Sequence, residues 1–197
     1  MEAVIQDNYD LMALTELWDR PKKGWELEIK YPGRVFCSEA TDETDPAAGA
    51  AIILSKRMAQ RLMQVQAVGT RIIWCRIEGQ FYNIIFISAY VPHKTRTDPT
   101  QAQNMQELST LCQTLQTKYP DDQMLIGADF NMPPQELSGV EELIRRMRGT
   151  VVVPKGSTCK SAQGGRIIDF IIIDESCREQ CSGAIATAPL RPARMMR

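Results

Sequence analysis

Hydrophobic and polar positions along the chain follow two periods in turn, and together they predict strands interleaved with a few helices. Leu11-Met12-Ala13-Leu14 is a short apolar run that stops at Thr15-Glu16, the pattern of a buried strand. Ala50 to Leu54 is a second such run. Between them, Asp19 to Pro46 is rich in proline, glycine and charge, and reads as an irregular loop with one strand near Val35-Phe36. Lys56 to Met63 fits either a short helix or more loop. Arg71 to Ile77 and Phe81 to Ala89 are rich in β-branched and aromatic residues, and Glu78-Gly79-Gln80 between them predicts a hairpin. Asp98-Pro99 has the form of a helix N-cap followed by proline in the first turn. Met105, Leu108, Leu111, Cys112 and Leu115 then recur at helical spacing as far as Tyr119-Pro120. Met124 to Ile126 predicts a strand running into Gly127-Ala128-Asp129-Phe130-Asn131. Gly139 to Met147 predicts a short helix, and Ile167 to Ile173 a last strong strand.

Strands with a hairpin and only two or three helices argue for an α/β protein built on mixed sheets, not a strictly parallel one. No repeat, low-complexity tract or linker interrupts the pattern, so one domain is expected over residues 1–197, with 188–197 as a disordered tail. Composition changes this picture little: 44% hydrophobic and 24% charged residues are ordinary for a globular chain of 197 residues. Charge matters more. A net charge of −1 gives no global attraction to nucleic acid or an acidic membrane, so such binding must come from a local patch. Arg71, Lys94, Arg96, Lys155, Lys160 and Arg166 are the basic side chains available to one, or are ordinary solvated surface. The apolar stretch from Asn83 to Val91 is too short to span a bilayer, and nothing in the pattern predicts a membrane or protein partner. The six cysteines form no Cys-x-x-Cys pair and Met1-Glu2-Ala3-Val4 does not begin a signal peptide. Reduced thiols in an intracellular protein, cytoplasmic or nuclear and not secreted, are therefore expected.

Candidate chemistry falls at strand ends, where rigid scaffolds present functional side chains. Asp129 and Asn131 stand two apart just past an apolar strand. A carboxylate there can orient or deprotonate a water, and an amide can donate to a phosphate oxygen. The same pair can equally form a turn before Pro133-Pro134, and both readings stand. Glu16 offers a hard oxygen ligand for Mg2+ or Mn2+, or is a solvated strand end. Tyr90 can bond a phosphate, or be a core tyrosine with a wet hydroxyl. Asp169, within Ile167-Ile168-Asp169-Phe170-Ile171-Ile172, is costly to bury unpaired, which favours a role. His93, the only histidine, follows Val91-Pro92 in a loop.

Taken in order, these segments resemble the endonuclease/exonuclease/phosphatase superfamily, which includes abasic-site endonucleases, DNase I and the endonucleases of non-LTR retrotransposons. Leu11-Met12-Ala13-Leu14-Thr15-Glu16 is similar to its "ALQET" strand, and Ala48-Gly49-Ala50-Ala51-Ile52-Ile53-Leu54 to "GGVAILL". Ser88-Ala89-Tyr90-Val91-Pro92 resembles "xxYxP", and Gly127-Ala128-Asp129-Phe130-Asn131 resembles "GGDFN". Ser157-Thr158 with Arg166-Ile167-Ile168-Asp169-Phe170 resembles "T…RIDY". The likeness runs from about Leu11 to Ile173, with retroelement endonucleases as the nearest branch.

The resemblance implies two mixed sheets packed face to face, flanked by helices in a DNase I-like four-layer sandwich, and Mg2+- or Mn2+-dependent hydrolysis of a phosphodiester in DNA. Glu16 would hold the metal, Asp129 would position the attacking water, Asn131 and Tyr90 would hold the phosphate, and Asp169 would orient a histidine. Two family segments have no counterpart. No strand reading "WNVNG" precedes Leu11, so a central strand is expected to be missing. The terminal "SDHxPV" aligns with Ala188-Pro189-Leu190-Arg191-Pro192-Ala193, which leaves His93 as the one substitute histidine. One positioned acid–base group is worth about 10²–10⁴ in rate. An inactive remnant or binding module of the same fold is therefore the main alternative to a nuclease, and a phosphatase of a phospholipid or inositol phosphate a further one.

Overall fold

The computed structural model describes residues 9–17, 26–27, 33–39, 48–93, 100–136, 139–161 and 164–180. Its strands are β1 (Leu11–Thr15), β2 (Glu26–Leu27), β3 (Arg34–Cys37), β4 (Ala50–Leu54), β5 (Leu62–Val68), β6 (Ile72–Ile77), β7 (Ile84–Tyr90), β8 (Gln123–Asp129), β9 (Gly149–Val152), β10 (Cys159–Ser161), β11 (Gly164–Arg166) and β12 (Asp169–Asp174). Three α-helices join them: α1 (Lys56–Ala59), α2 (Thr100–Lys118) and α3 (Val140–Met147). A 3-10 helix, Glu175–Gln180, follows β12.

The strands form two main sheets. The smaller runs β1-β4-β3-β2 and is antiparallel throughout; the larger runs β5-β6-β7-β8-β12-β9. Its one parallel pair is β7 with β8, joined by α2 as the crossover that parallel neighbours require. β10 and β11 make a separate antiparallel ribbon. The mixed sandwich expected from the pattern is therefore present, with only the larger sheet mixed.

Alternation along β7 and β8 sorts the two cores. Ile85, Ile87 and Ala89 with Met124, Ile126 and Ala128 face the helices, packing on Met105, Leu108, Cys112 and Leu115 of α2 and Val140, Leu143 and Met147 of α3. The opposite face carries Phe86 against Phe36, Ala50, Ile52 and Leu54 of the smaller sheet. The helical stripe read in the sequence is thus core packing. β1 ends the smaller sheet and its five residues are only half-buried, whereas those of its neighbour β4 are all buried.

Several boundaries differ from the sequence reading. The Lys56–Met63 ambiguity resolves as α1, capped by Ser55, whose hydroxyl accepts from the Met58 N–H at 3.2 Å. Strand β5 was invisible because Gln64 and Gln66 interrupt its apolar residues at the sheet edge. The hairpin is real, but β7 starts at Ile84: Phe81 is 83% exposed and belongs to the connection. Gly79 is obligatory there, since a Cβ on it would lie 1.6 Å from the Tyr82 carbonyl oxygen. The last strand starts at Asp169, not Ile167. Asp98-Pro99 and residues 188–197 lie outside the described residues.

The sheets come close where β1 crosses β8. A Cβ on Gly127 would sit 2.9 Å from the Ala13 Cβ, so only glycine lets the strands meet at this spacing. Gly127→Ala is expected to lower unfolding stability by about 1–3 kcal/mol, because an added methyl in a packed core forces backbone shifts. Urea denaturation measures this; an unchanged midpoint would mean that β1 is free to lift away.

Candidate active site

The ends of β7, β8 and β12 bring three of the expected residues into one row. Tyr90 is the register partner of Asp129 in the parallel pair, and Asp129 that of Asp169 in the antiparallel pair. Their neighbours Ala89, Ala128 and Phe170 are committed to the helix-side core, so strand alternation turns all three towards the sandwich face. The row is fixed from behind. Phe130 and Phe170 stack with centroids 4.1 Å apart, and the Phe130 N–H donates to the Ile168 carbonyl at 2.9 Å. The Val91 N–H donates to the Asp129 carbonyl at 2.8 Å and carries the β7–β8 ladder past the strand ends.

Glu16 follows the end of β1 and is exposed. It and Asn131 adopt positive φ, 55° and 56°, an uncommon state for non-glycine residues that often marks a functional site. Asn131 is buried and internally bonded. Its N–H donates to Asp129 Oδ1 and its Nδ2 to the Val91 carbonyl, both at 2.9 Å. The turn reading of Asp129-x-Asn131 is thus the one these bonds show, and the turn aims the Asp129 carboxylate. Thr158, quoted in the sequence only as part of a motif, buttresses Asp169. Its Oγ1 accepts N–H donations from Ile168 at 3.0 Å and Asp169 at 3.1 Å, and its hydroxyl bonds the Asp169 carboxylate.

His93 stands three residues beyond Tyr90. It is exposed and makes no hydrogen bond to Asp169. Among the basic candidates, Arg166 pairs with Glu136 at 2.7 Å, while Lys94 and Arg96 lie outside the described residues.

Electrostatically the described residues of the site are acidic. Asp129 is 6% exposed. Burial, then the charge of Asp169, pushes its carboxyl up to about 7; the Asn131 N–H opposes this and Glu16 adds to it. Burial also raises Asp169, opposed by the Thr158 hydroxyl. A divalent cation would relieve this repulsion, and the donors are hard oxygens of the kind Mg2+ takes. Among the described residues no three His, Cys, Asp or Glu side chains are grouped to cage an ion. A cation bound there would be held by one or two carboxylates, with water and a substrate phosphate completing its shell, as is usual for Mg2+. The residues fit the group.

No protein-family model and no curated protein matches this chain. Solved structures do. The endonuclease domain of TRAS1, a telomere-specific non-LTR retrotransposon, is similar at 16% identity with a TM-score of 0.52, over 77% of this chain and 71% of that domain. Truncated Caenorhabditis elegans TDP2 matches at 13% identity and TM-score 0.57, over 88% of this chain and 75% of that one. An endonuclease/exonuclease/phosphatase family protein from Leptotrichia buccalis matches at 14% identity and TM-score 0.55, over 88% and 78%. The chain spans only 54% of the length of a Staphylococcus aureus beta toxin that it also resembles. These likenesses establish the fold: a DNase I-like sandwich of two sheets flanked by helices, shared with those structures.

The raised Asp129 carboxyl has a thermodynamic consequence. Between about pH 4 and pH 7 the folded protein keeps a proton that the unfolded chain has released, so stability falls as pH rises through that window. With divalent ions removed, wild type is expected to melt lower at pH 8 than at pH 5. Asp129→Asn should flatten this dependence and stabilise the protein at pH 8 by on the order of 2–4 kcal/mol. Melting curves of both proteins in EDTA test this; an equally steep dependence in the variant would assign it to another group.

Proposed function

We propose that the chain is a divalent-metal-dependent phosphodiester hydrolase of the retroelement endonuclease type, acting on DNA. The observation that carries this reading is the row Tyr90, Asp129, Asp169 at adjacent strand ends, with the charges of Asp169 and Glu16 both raising the Asp129 carboxyl. The likeness to the TRAS1 endonuclease domain supports the substrate class.

Glu16 would hold the cation from β1, with Asp129 beside it. When bound, a divalent ion supplies charge neutralisation at the phosphate and at the leaving oxygen. The chain's own residues do the rest. Asp129, kept ionised by the neighbouring cation, would orient the attacking water and take its proton. The Asn131 N–H aims that carboxylate. The second amide hydrogen of Asn131 and the Tyr90 side chain would contact phosphate oxygens. Asp169, held by Thr158, keeps the electrostatic wall opposite Asp129.

A binding-only module of this fold is the second reading. What favours it is specific: His93, the one histidine of the sequence, is exposed and makes no hydrogen bond to Asp169.

Nicking of supercoiled DNA with Mg2+ or Mn2+ separates the two. Nicking abolished by EDTA and reduced at least about 10²-fold in Asp129→Ala is expected of the enzyme. A folded protein that binds DNA without nicking it belongs to the second reading. Nicking that survives both treatments comes from a contaminant and removes support for the first.

A further inference from the structure

We propose that Ser88 is a positioning residue that sets Glu16 at its working distance from Asp129. The inference rests on the reading of these carboxylates as a cation site. It starts from a hydroxyl in an apolar place. Ser88 is 0% exposed in β7, on the sandwich face that also carries Phe86. A hydroxyl buried there is costly unless bonded. Its partner is in the other sheet: Ser88 Oγ donates to the Leu14 carbonyl at 3.1 Å.

The bond falls at a consistent level of the fold. Leu14 stands two residues before Glu16, Ser88 two before Tyr90, and the register partner of Ser88, Gly127, two before Asp129. Period-2 alternation therefore puts a cross-sheet bolt one step beneath the row of site residues on three strands. β1 needs such a bolt. Among the described strands it pairs only with β4, and its residues are half-buried, so its height above the larger sheet is not set by a second neighbour. Gly127 lets β1 come close, and Ser88 holds it there. A second cross-sheet bond, from Ser38 Oγ to the Thr70 carbonyl at 2.6 Å, touches neither β1 nor a site residue. The same Ser38 Oγ also accepts from the Ala50 N–H of β4 at 3.1 Å, so Ser38→Ala removes two bonds where Ser88→Ala removes one and is the harsher control for general stability.

The test compares wild type, Ser88→Ala, Ser88→Thr and Ser38→Ala by two readouts. The first is amide hydrogen exchange at residues 13–16 in metal-free protein; the second is Mn2+ affinity by calorimetry. Ser88→Ala is expected to speed exchange at residues 13–16 at least about 10-fold and to weaken Mn2+ binding about 10–100-fold, the usual effect of removing an outer-shell partner. Ser88→Thr, which keeps the hydroxyl, should restore most of both. Ser38→Ala should lower the melting temperature while leaving Mn2+ affinity within about 2-fold of wild type, well short of that outer-shell effect. Equal loss of Mn2+ affinity in Ser38→Ala and Ser88→Ala would reduce Ser88 to general stability and overturn the proposal. So would unchanged exchange at residues 13–16 in Ser88→Ala. Wild type that binds no Mn2+ while Ser88→Ala still speeds exchange would overturn the cation reading of the site, and leave Ser88 supported as the residue that fixes the Glu16 strand.

Discussion

Two carboxylates placed directly opposite each other on adjacent antiparallel strands are the constraint from which the rest of this structure follows. Asp129 and Asp169 are register partners, and like charges in that position destabilise a sheet. The fold tolerates them because everything behind them is over-determined. The Phe130–Phe170 stack, the helix-side core and the ladder extension through Val91 and Phe130 fix both strand ends whatever the carboxylates do. Each carboxylate also receives one bond from its own vicinity, the Asn131 N–H for Asp129 and the Thr158 hydroxyl for Asp169. Those bonds orient the groups without cancelling their charge.

The sheet geometry also explains why so few residues carry the site. With period-2 alternation, a single register decides which side chains face the other sheet, and a one-residue slip would exchange Asp129 for Ala128. Register is secured by burial of Ile85, Ile87, Met124 and Ile126 against α2 and α3. Packing far from the carboxylates thus determines that they converge. Glu16 is the exception: it enters from β1, on the end of the other sheet, and its placement depends on contacts across the sandwich at Gly127 and Ser88.

What the sequence discloses follows the same division. The long apolar runs of β6, β7, β8 and β12 and the stripe of α2 were legible because each buries a continuous face. So were Asp129, Asn131 and Tyr90, which terminate such runs. β5 was not legible, because an edge strand with glutamines at alternate positions looks like loop. Nor were β10 and β11, strands of three residues each. The parts of the site that escaped were the supports. Ser88 and Thr158 are small polar residues whose meaning lies in partners 74 and 11 residues away. No local pattern in a single sequence encodes such distances. His93 shows the converse: it was proposed because it is the only histidine, and sequence proximity to Tyr90 did not bring it to Asp169.

Raising the Asp129 carboxyl towards neutrality couples protonation and cation occupancy. A proton and a divalent cation neutralise the same charge, so each disfavours the other by the same free energy. At pH 5 the folded site is neutral at Asp129 and has little demand for a cation; at pH 8 it is anionic and demands one. Cation affinity should therefore rise steeply across the range in which apo-protein stability falls, and the cation would restore what deprotonation removes. On the proposed reading, the instability of the ionised site and its affinity for a cation would be one quantity seen from two sides. That quantity originates in burial of Asp129 and the charge of Asp169 opposite it, which a folded sheet of this register cannot avoid.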